Sequence, residues 1–171
     1  MANTRELGPV IYVAADAVGQ PGQRRFRLRA LTENGESAEL WLEKEQLAAL
    51  GEALDGLLKN EGYRHQRRPL DDRESEPVLP LNASVELRIL QLSMGINREV
   101  ERVVLIGGDS ADPDEADATT VSLEFDFPRA YELRRQISDV VAAGRPNCPL
   151  CTAPMDPEGH VCVRSNGHHP H

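Results

Sequence analysis

AELWLEKEQLAALGEAL (residues 38–54) and VSLEFDFPRAYELRRQI (residues 121–137) align without a gap. Leu40 falls on Leu123, Leu42 on Phe125, Leu47 on Ala130, Leu50 on Leu133 and Leu54 on Ile137, while acidic Glu43 falls on Asp126. Each stretch opens with alternating apolar residues, the period of a strand with one buried face, and then changes to the three-and-four spacing of an amphipathic helix. Leu57 and Leu58 continue the first helical stripe, and Val140 and Val141 the second. Pro128 suits the first turn of a helix, where its missing N–H has no partner to lose.

Working outward, each junction is preceded by further strands. Before the first, Pro9 to Ala15 is a short apolar run, and GQPGQ (residues 19–23) supplies a tight turn. From Arg24, Phe26, Leu28 and Ala30 alternate with Arg25, Arg27 and Arg29, and Asn34-Gly35 can take the positive φ of a hairpin turn. Before the second, Ser84 to Leu92 and Glu101 to Ile106 read as strands, followed by TTVSLEFDF from Thr119. The order is three strands and a helix, twice.

The expected fold class is therefore α+β: two β-β-β-α repeats, at about 9–60 and 83–142, forming a mainly antiparallel sheet with two helices. One continuous sheet and two facing half-sheets both satisfy this pattern. Residues 61–82, rich in Arg, Asp, Glu and Pro, form the connector, and residues 1–143 make up the duplicated domain. Gly144-Arg145-Pro146-Asn147 ends the last helix and opens a tail, residues 144–171.

All three cysteines lie in that tail. Cys148-Pro-Leu-Cys151 has the spacing that lets two thiolates take two corners of a tetrahedron around zinc, and Cys162 supplies a third. The fourth ligand is a histidine: His160, in the more compact loop, is preferred, with His168 as the alternate. A redox C-x-x-C needs a helix start that depresses a thiol pKa, and Pro154 and Pro157 forbid that helix. Structural zinc would supply the folding energy that a segment so poor in apolar residues lacks. Asp156 and Glu158 read as solubilising acids rather than as the general base of a catalytic metal.

Other constellations carry less. Glycines beside Arg24 and Arg25 suggest phosphate contacts, with Asp16 nearby, but the loop leads into a strand and not into a helix N-terminus, so a hairpin turn with solvated arginines is the expectation. The basic stretch YRHQRRPLDDR (residues 63–73) reads as a surface loop neutralised by its own acids, and contact with an acidic or phosphorylated partner is the lesser reading. DSADPDEAD (residues 109–117) lacks the ligand order of a calcium loop. Asp126 reads as a helix cap. His65 is the one histidine outside the tail, and no catalytic Ser, His and Cys set is visible in the main domain.

With 28 acidic against 19 basic residues, the net charge of -9 argues against a protein that grips nucleic acid. A single Trp, three Tyr and three Phe, none in the tail, argue against base stacking. No signal peptide or apolar run of membrane-spanning length is present, and an odd cysteine count fits a reducing compartment, so a cytoplasmic protein without a membrane association is expected.

AADAVGQPGQRRF (residues 14–26), LEKEQLAAL (residues 42–50), and a close in VAAGRPNCPLC followed by DPEGHVC and NGH together resemble the actinobacterial domain-of-unknown-function 3090 family, over nearly the whole chain. Thr152 and Val163 stand where that family has glycine and proline. The resemblance implies gene neighbours that are kinase-like and histidine-phosphatase-like, and it implies no activity. The expected function is a non-enzymatic adaptor or regulatory protein with a kinase-like or phosphatase-like partner. The alternative is an enzyme or binding protein for a phosphorylated small molecule, in a groove between the repeats at Arg24, Arg25 and Asp16.

Overall fold

The computed structural model describes residues 3–20, 22–66, 77–112, 114–143, 148–151 and 162. Seven strands and two helices follow in the order β1 (Asn3–Val18), β2 (Arg25–Thr32), β3 (Ser37–Leu42), α1 (Lys44–Asn60), β4 (Val85–Arg88), β5 (Gln91–Asn97), β6 (Arg102–Gly108), β7 (Thr119–Asp126) and α2 (Phe127–Ala143). They form a mixed, mostly antiparallel sheet in the order β4-β3-β2-β1-β7-β6-β5, so the class is α+β. Among the described residues, only the β1–β7 and β3–β4 contacts are parallel.

Two long chain segments hold the sheet together. The first half of β1, Asn3 to Pro9, pairs parallel with β7, and its second half, from Val10, pairs antiparallel with β2. The switch occurs at bulges on either side of Pro9, where Gly8 takes a φ of +67° that a side chain would resist. The second segment is β4 and β5, separated only by Ile89 and Leu90. The Ile89 amide donates to the Trp41 carbonyl on β3 and the Leu90 amide to the Gly108 carbonyl on β6, both at 2.8 Å. Adjacent residues thus join the two ends of the strand order, and the sheet closes on itself. Continuous sheet and facing half-sheets are the same object, bent at Pro9–Val10 and at Ile89–Leu90.

The single strand expected from Ser84 to Leu92 is therefore two, and it runs on to Asn97. Leu92, Met94 and Ile96 do alternate, but they are only half-buried, and Gly95 and the polar residues between them dilute the pattern. Likewise the strand expected from Pro9 to Ala15 extends to both sides. Glycine and proline read as a stop there, whereas the bulge carries the chain through.

All ten aligned apolar positions of the two junctions are buried, from Leu47, Leu54, Ala130 and Leu133 at 0% exposure to Leu42 at 6%. They join one core with Leu28 of β2, Val103 and Leu105 of β6 and Ile89 at the bend. Each such leucine contributes roughly 1.5–3 kcal/mol by leaving water. The opposite face of the sheet carries the alternate residues, among them Arg25, Arg27, Arg29, Glu39 and Trp41. Across the core the helices touch closely at Gly51, where an added Cβ would lie 2.8 Å from the Cγ2 of Ile137. Among the described residues, no helix is long and apolar enough to cross a membrane.

Candidate metal centre

After α2 ends, Cys148 opens a turn through Pro149 and Leu150 to Cys151. A proline-bearing turn of this length brings two thiols to one side without needing helix or strand around them. Cys162, distant by 11 residues in the chain, returns to the same place, so that the sulfurs of Cys148, Cys151 and Cys162 all lie within 4.8 Å of one another. Cys148 and Cys162 are buried at 4% and 6% exposure, and Cys151 is half-exposed.

The Sγ atoms of Cys148 and Cys162 are 3.8 Å apart. A disulfide would need about 2.05 Å. Zinc–sulfur bonds of about 2.3 Å at tetrahedral angles place two sulfurs about 3.8 Å apart, so the spacing fits two ligands of one ion and not a covalent pair. The donor set, three soft thiolates, suits zinc or an iron–sulfur centre and disfavours calcium or magnesium. His160 and His168, the expected fourth ligands, lie outside the described residues, as do Asp156, Glu158, Thr152 and Val163.

A family model described as "Protein of unknown function (DUF3090)" matches residues 6–162. The chain belongs to this family. The matched region of this DUF3090 protein takes in β1 from Glu6 onward, the other six strands, both helices and all three cysteines, and it ends on Cys162. No curated protein matches the chain.

The second group of expected site residues separates in this DUF3090 structure. Asp16 accepts two hydrogen bonds from Arg27, Nε to Oδ1 at 2.6 Å and Nη2 to Oδ2 at 3.0 Å, and Arg29 approaches it at 3.6 Å. Glu39 accepts from the remaining Arg27 nitrogen. The Asp16 hydrogen bond is the main reason the Arg27 guanidinium is held above its ordinary range; partial burial opposes the shift and Glu39 adds to it. Asp16 is thus part of a cross-strand ion network on β1, β2 and β3, and it does not line the pocket that Arg24 and Arg25 share.

That pocket, about 260 Å³, sits where β2 begins and β3 and β4 end. Its walls include Arg24, Arg25, Trp41, Glu43 and Arg88. Arg25 lies over the Trp41 ring, 4.1 Å from its centroid. Arg88 and Trp41 were not singled out from the sequence, because Arg88 becomes a neighbour of Arg24 only when β4 pairs with β3, 47 positions away across the Trp41–Arg88 register. The signal available was the outward alternation of Trp41 and Arg88, each following an inward residue.

His65, outside both sites, stacks on Tyr131 with ring centroids 4.1 Å apart, and Tyr63 meets Phe127 edge-on. This aromatic cluster seats the start of the connector on α2. Of the basic stretch YRHQRRPLDDR, residues 67–73 lie outside the described residues.

Proposed function

We propose that this DUF3090 protein is a non-enzymatic cytoplasmic adaptor or regulatory protein whose C-terminal segment folds around a structural zinc ion. Cys148, Cys151 and Cys162 are three of its ligands and His160 the fourth, with His168 as the alternate. The observation that carries this reading is the convergence of three thiols, two of them buried, at the sulfur spacing of a tetrahedral site. His160 lies inside the family match and His168 beyond it, which supports the former. Four protein ligands leave no open coordination position, which is the arrangement of a structural site and not of a hydrolytic one. Zinc binding contributes on the order of 10 kcal/mol to the folding of such segments.

The adaptor role rests on the family's neighbourhood. Kinase-like and histidine-phosphatase-like neighbours make a protein of one of those two kinds the expected partner. The gapless match of residues 38–54 with 121–137, and the way each aligned strand takes a parallel neighbour from the other unit, support an ancestral duplication of the sheet.

Elemental analysis of the purified protein tests the metal site. Zinc equimolar with the chain is expected, lost in Cys148→Ser and His160→Ala and kept in His168→Ala. Iron in place of zinc, or a metal-free protein whose fold is unchanged by chelators, overturns it. Affinity purification from the native cell tests the role separately: recovery of neither a kinase-like nor a phosphatase-like protein with the zinc-loaded chain would remove its support.

A further inference from the structure

We infer that the pocket formed by Arg24, Arg25, Arg88 and Trp41 binds the phosphate group of a small phosphorylated molecule. The inference does not depend on the metal site.

Three observations converge on it. First, the neighbouring arginines of this sheet are paired: Arg5 with Glu36, Arg27 and Arg29 with Asp16, and Arg102 with Glu124. Arg24 and Arg25 have no carboxylate at ion-pair distance among the described residues. In a chain with a net charge of -9, where acids are in surplus, two adjacent arginines left without one are a local exception. Second, the Nε–H of Arg24 is buried and has no hydrogen-bond acceptor among the described residues. A buried guanidinium donor without an acceptor is unfavourable, and an anion seated against it removes the penalty. Third, the donors converge on a cavity. Arg88 comes to it from β4, and the one acid in its wall among the described residues, Glu43, lies 3.5 Å from Arg88 and is largely exposed.

Charge and size together select the ligand class. Three guanidinium groups against one exposed carboxylate leave the pocket with a positive field, and planar guanidinium forks match the oxygens of phosphate. At about 260 Å³ the cavity falls below the roughly 300–1,000 Å³ of sites that enclose drug-sized ligands, so it suits a phosphate with a small organic group. Neither the loop from Gly19 nor α1 presents a glycine-rich helix start here. Side chains, not backbone amides, do the recognising.

Trp41 is the sole tryptophan, and Arg25 already rests on it. Its fluorescence therefore reports directly on the pocket. Titration with inorganic phosphate and with glycerol 3-phosphate, against sodium chloride at matched ionic strength, is expected to give a saturable change for both phosphates and none for chloride. Arg24→Gln and the more exposed Arg88→Gln should each weaken the phosphates by about tenfold or more, whereas Arg98→Gln, at a distant ion pair with Glu61, should leave them unchanged. Glu43→Gln, which keeps an acceptor for the start of α1, should tighten binding. A change reproduced by chloride, or binding insensitive to Arg88→Gln in a folded protein, overturns the proposal, as does weaker binding in Glu43→Gln.

Discussion

The Nε of Arg129 donates a 2.8 Å hydrogen bond to the carbonyl of Ile11. At the aligned position of the other junction, Gln46 Nε2 donates to the carbonyls of Ile89 and Leu90, at 3.2 and 3.4 Å. All three acceptors lie where a long segment bends from one half of the sheet to the other. Bends interrupt the backbone ladder, and here a side chain from the first turn of a helix supplies a donor at each. The helices thus do more than cover the core: their first turns tie down the two places where the closed sheet changes direction.

Loss of the Arg129 tie should be measurable. Asp126 Oδ1 accepts from the Arg129 amide at 3.0 Å, capping α2, and Asp126 Oδ2 pairs with the Arg129 guanidinium at 2.7 Å. Asp126→Ala is expected to cost about 1 kcal/mol in urea unfolding, the usual value of a lost helix cap. Arg129→Ala should cost a similar amount, and the double variant less than the sum, because the two residues share partners. Strict additivity would show that Asp126 and Arg129 act independently of each other.

Two glycines of α1 should respond in opposite directions. Gly56 has open space where a Cβ would stand, so Gly56→Ala is expected to stabilise by about 1 kcal/mol through helix propensity alone. At Gly51 the same change places a methyl 2.8 Å from the Cγ2 of Ile137, which is attached directly to Cβ and only 2% exposed, so it cannot swing aside. Overpacking of about 1–3 kcal/mol should outweigh the propensity gain, leaving Gly51→Ala less stable than the parent. Adding Ile137→Leu, which removes the branch, should restore part of the loss. Thermal unfolding of the four proteins checks the order.

Acid should weaken the ion pairs of Asp55. Asp55 pairs with Lys59 at 2.7 Å and with Arg134 of α2 at 3.4 Å, and chiefly the Lys59 hydrogen bond holds its carboxyl below the ordinary aspartate range. A depressed carboxyl contributes stability that is present above its unfolded value, about pH 3.9, and is lost as pH falls through the lower folded value. The unfolding midpoint of the parent should therefore fall more steeply below about pH 4 than that of Asp55→Asn. Parallel acid limbs in the two proteins would exclude Asp55 as the cause.

Much of this architecture is legible along the chain because it is written in local periods. Phe26, Leu28 and Ala30 alternate and are all buried, and Leu47, Leu50 and Leu54 keep a helical spacing and face the same core. The Cys148–Cys151 half of the thiol cluster was legible for a different reason: C-x-x-C is a short-range geometry that needs no knowledge of the fold. Pairing between distant segments leaves no such local mark. The bend at Ile89–Leu90 lies inside an alternating stretch that reads as one strand, and it exists because its two sides find different partners, β3 and β6.

The sequence by itself determined which residues face inward, where strand gives way to helix, and that Cys148 and Cys151 can share a metal, since each follows from the spacing of residue types over a few positions. Only the tertiary structure decided that the sheet closes on itself, that Asp16 turns to Arg27, and that Arg24 and Arg25 meet Arg88 in a pocket instead. Those outcomes depend on hydrogen-bond partners and charges brought together from distant parts of the chain. Alternation sets which face an arginine occupies, but the register of its neighbours sets whether it finds an acid there.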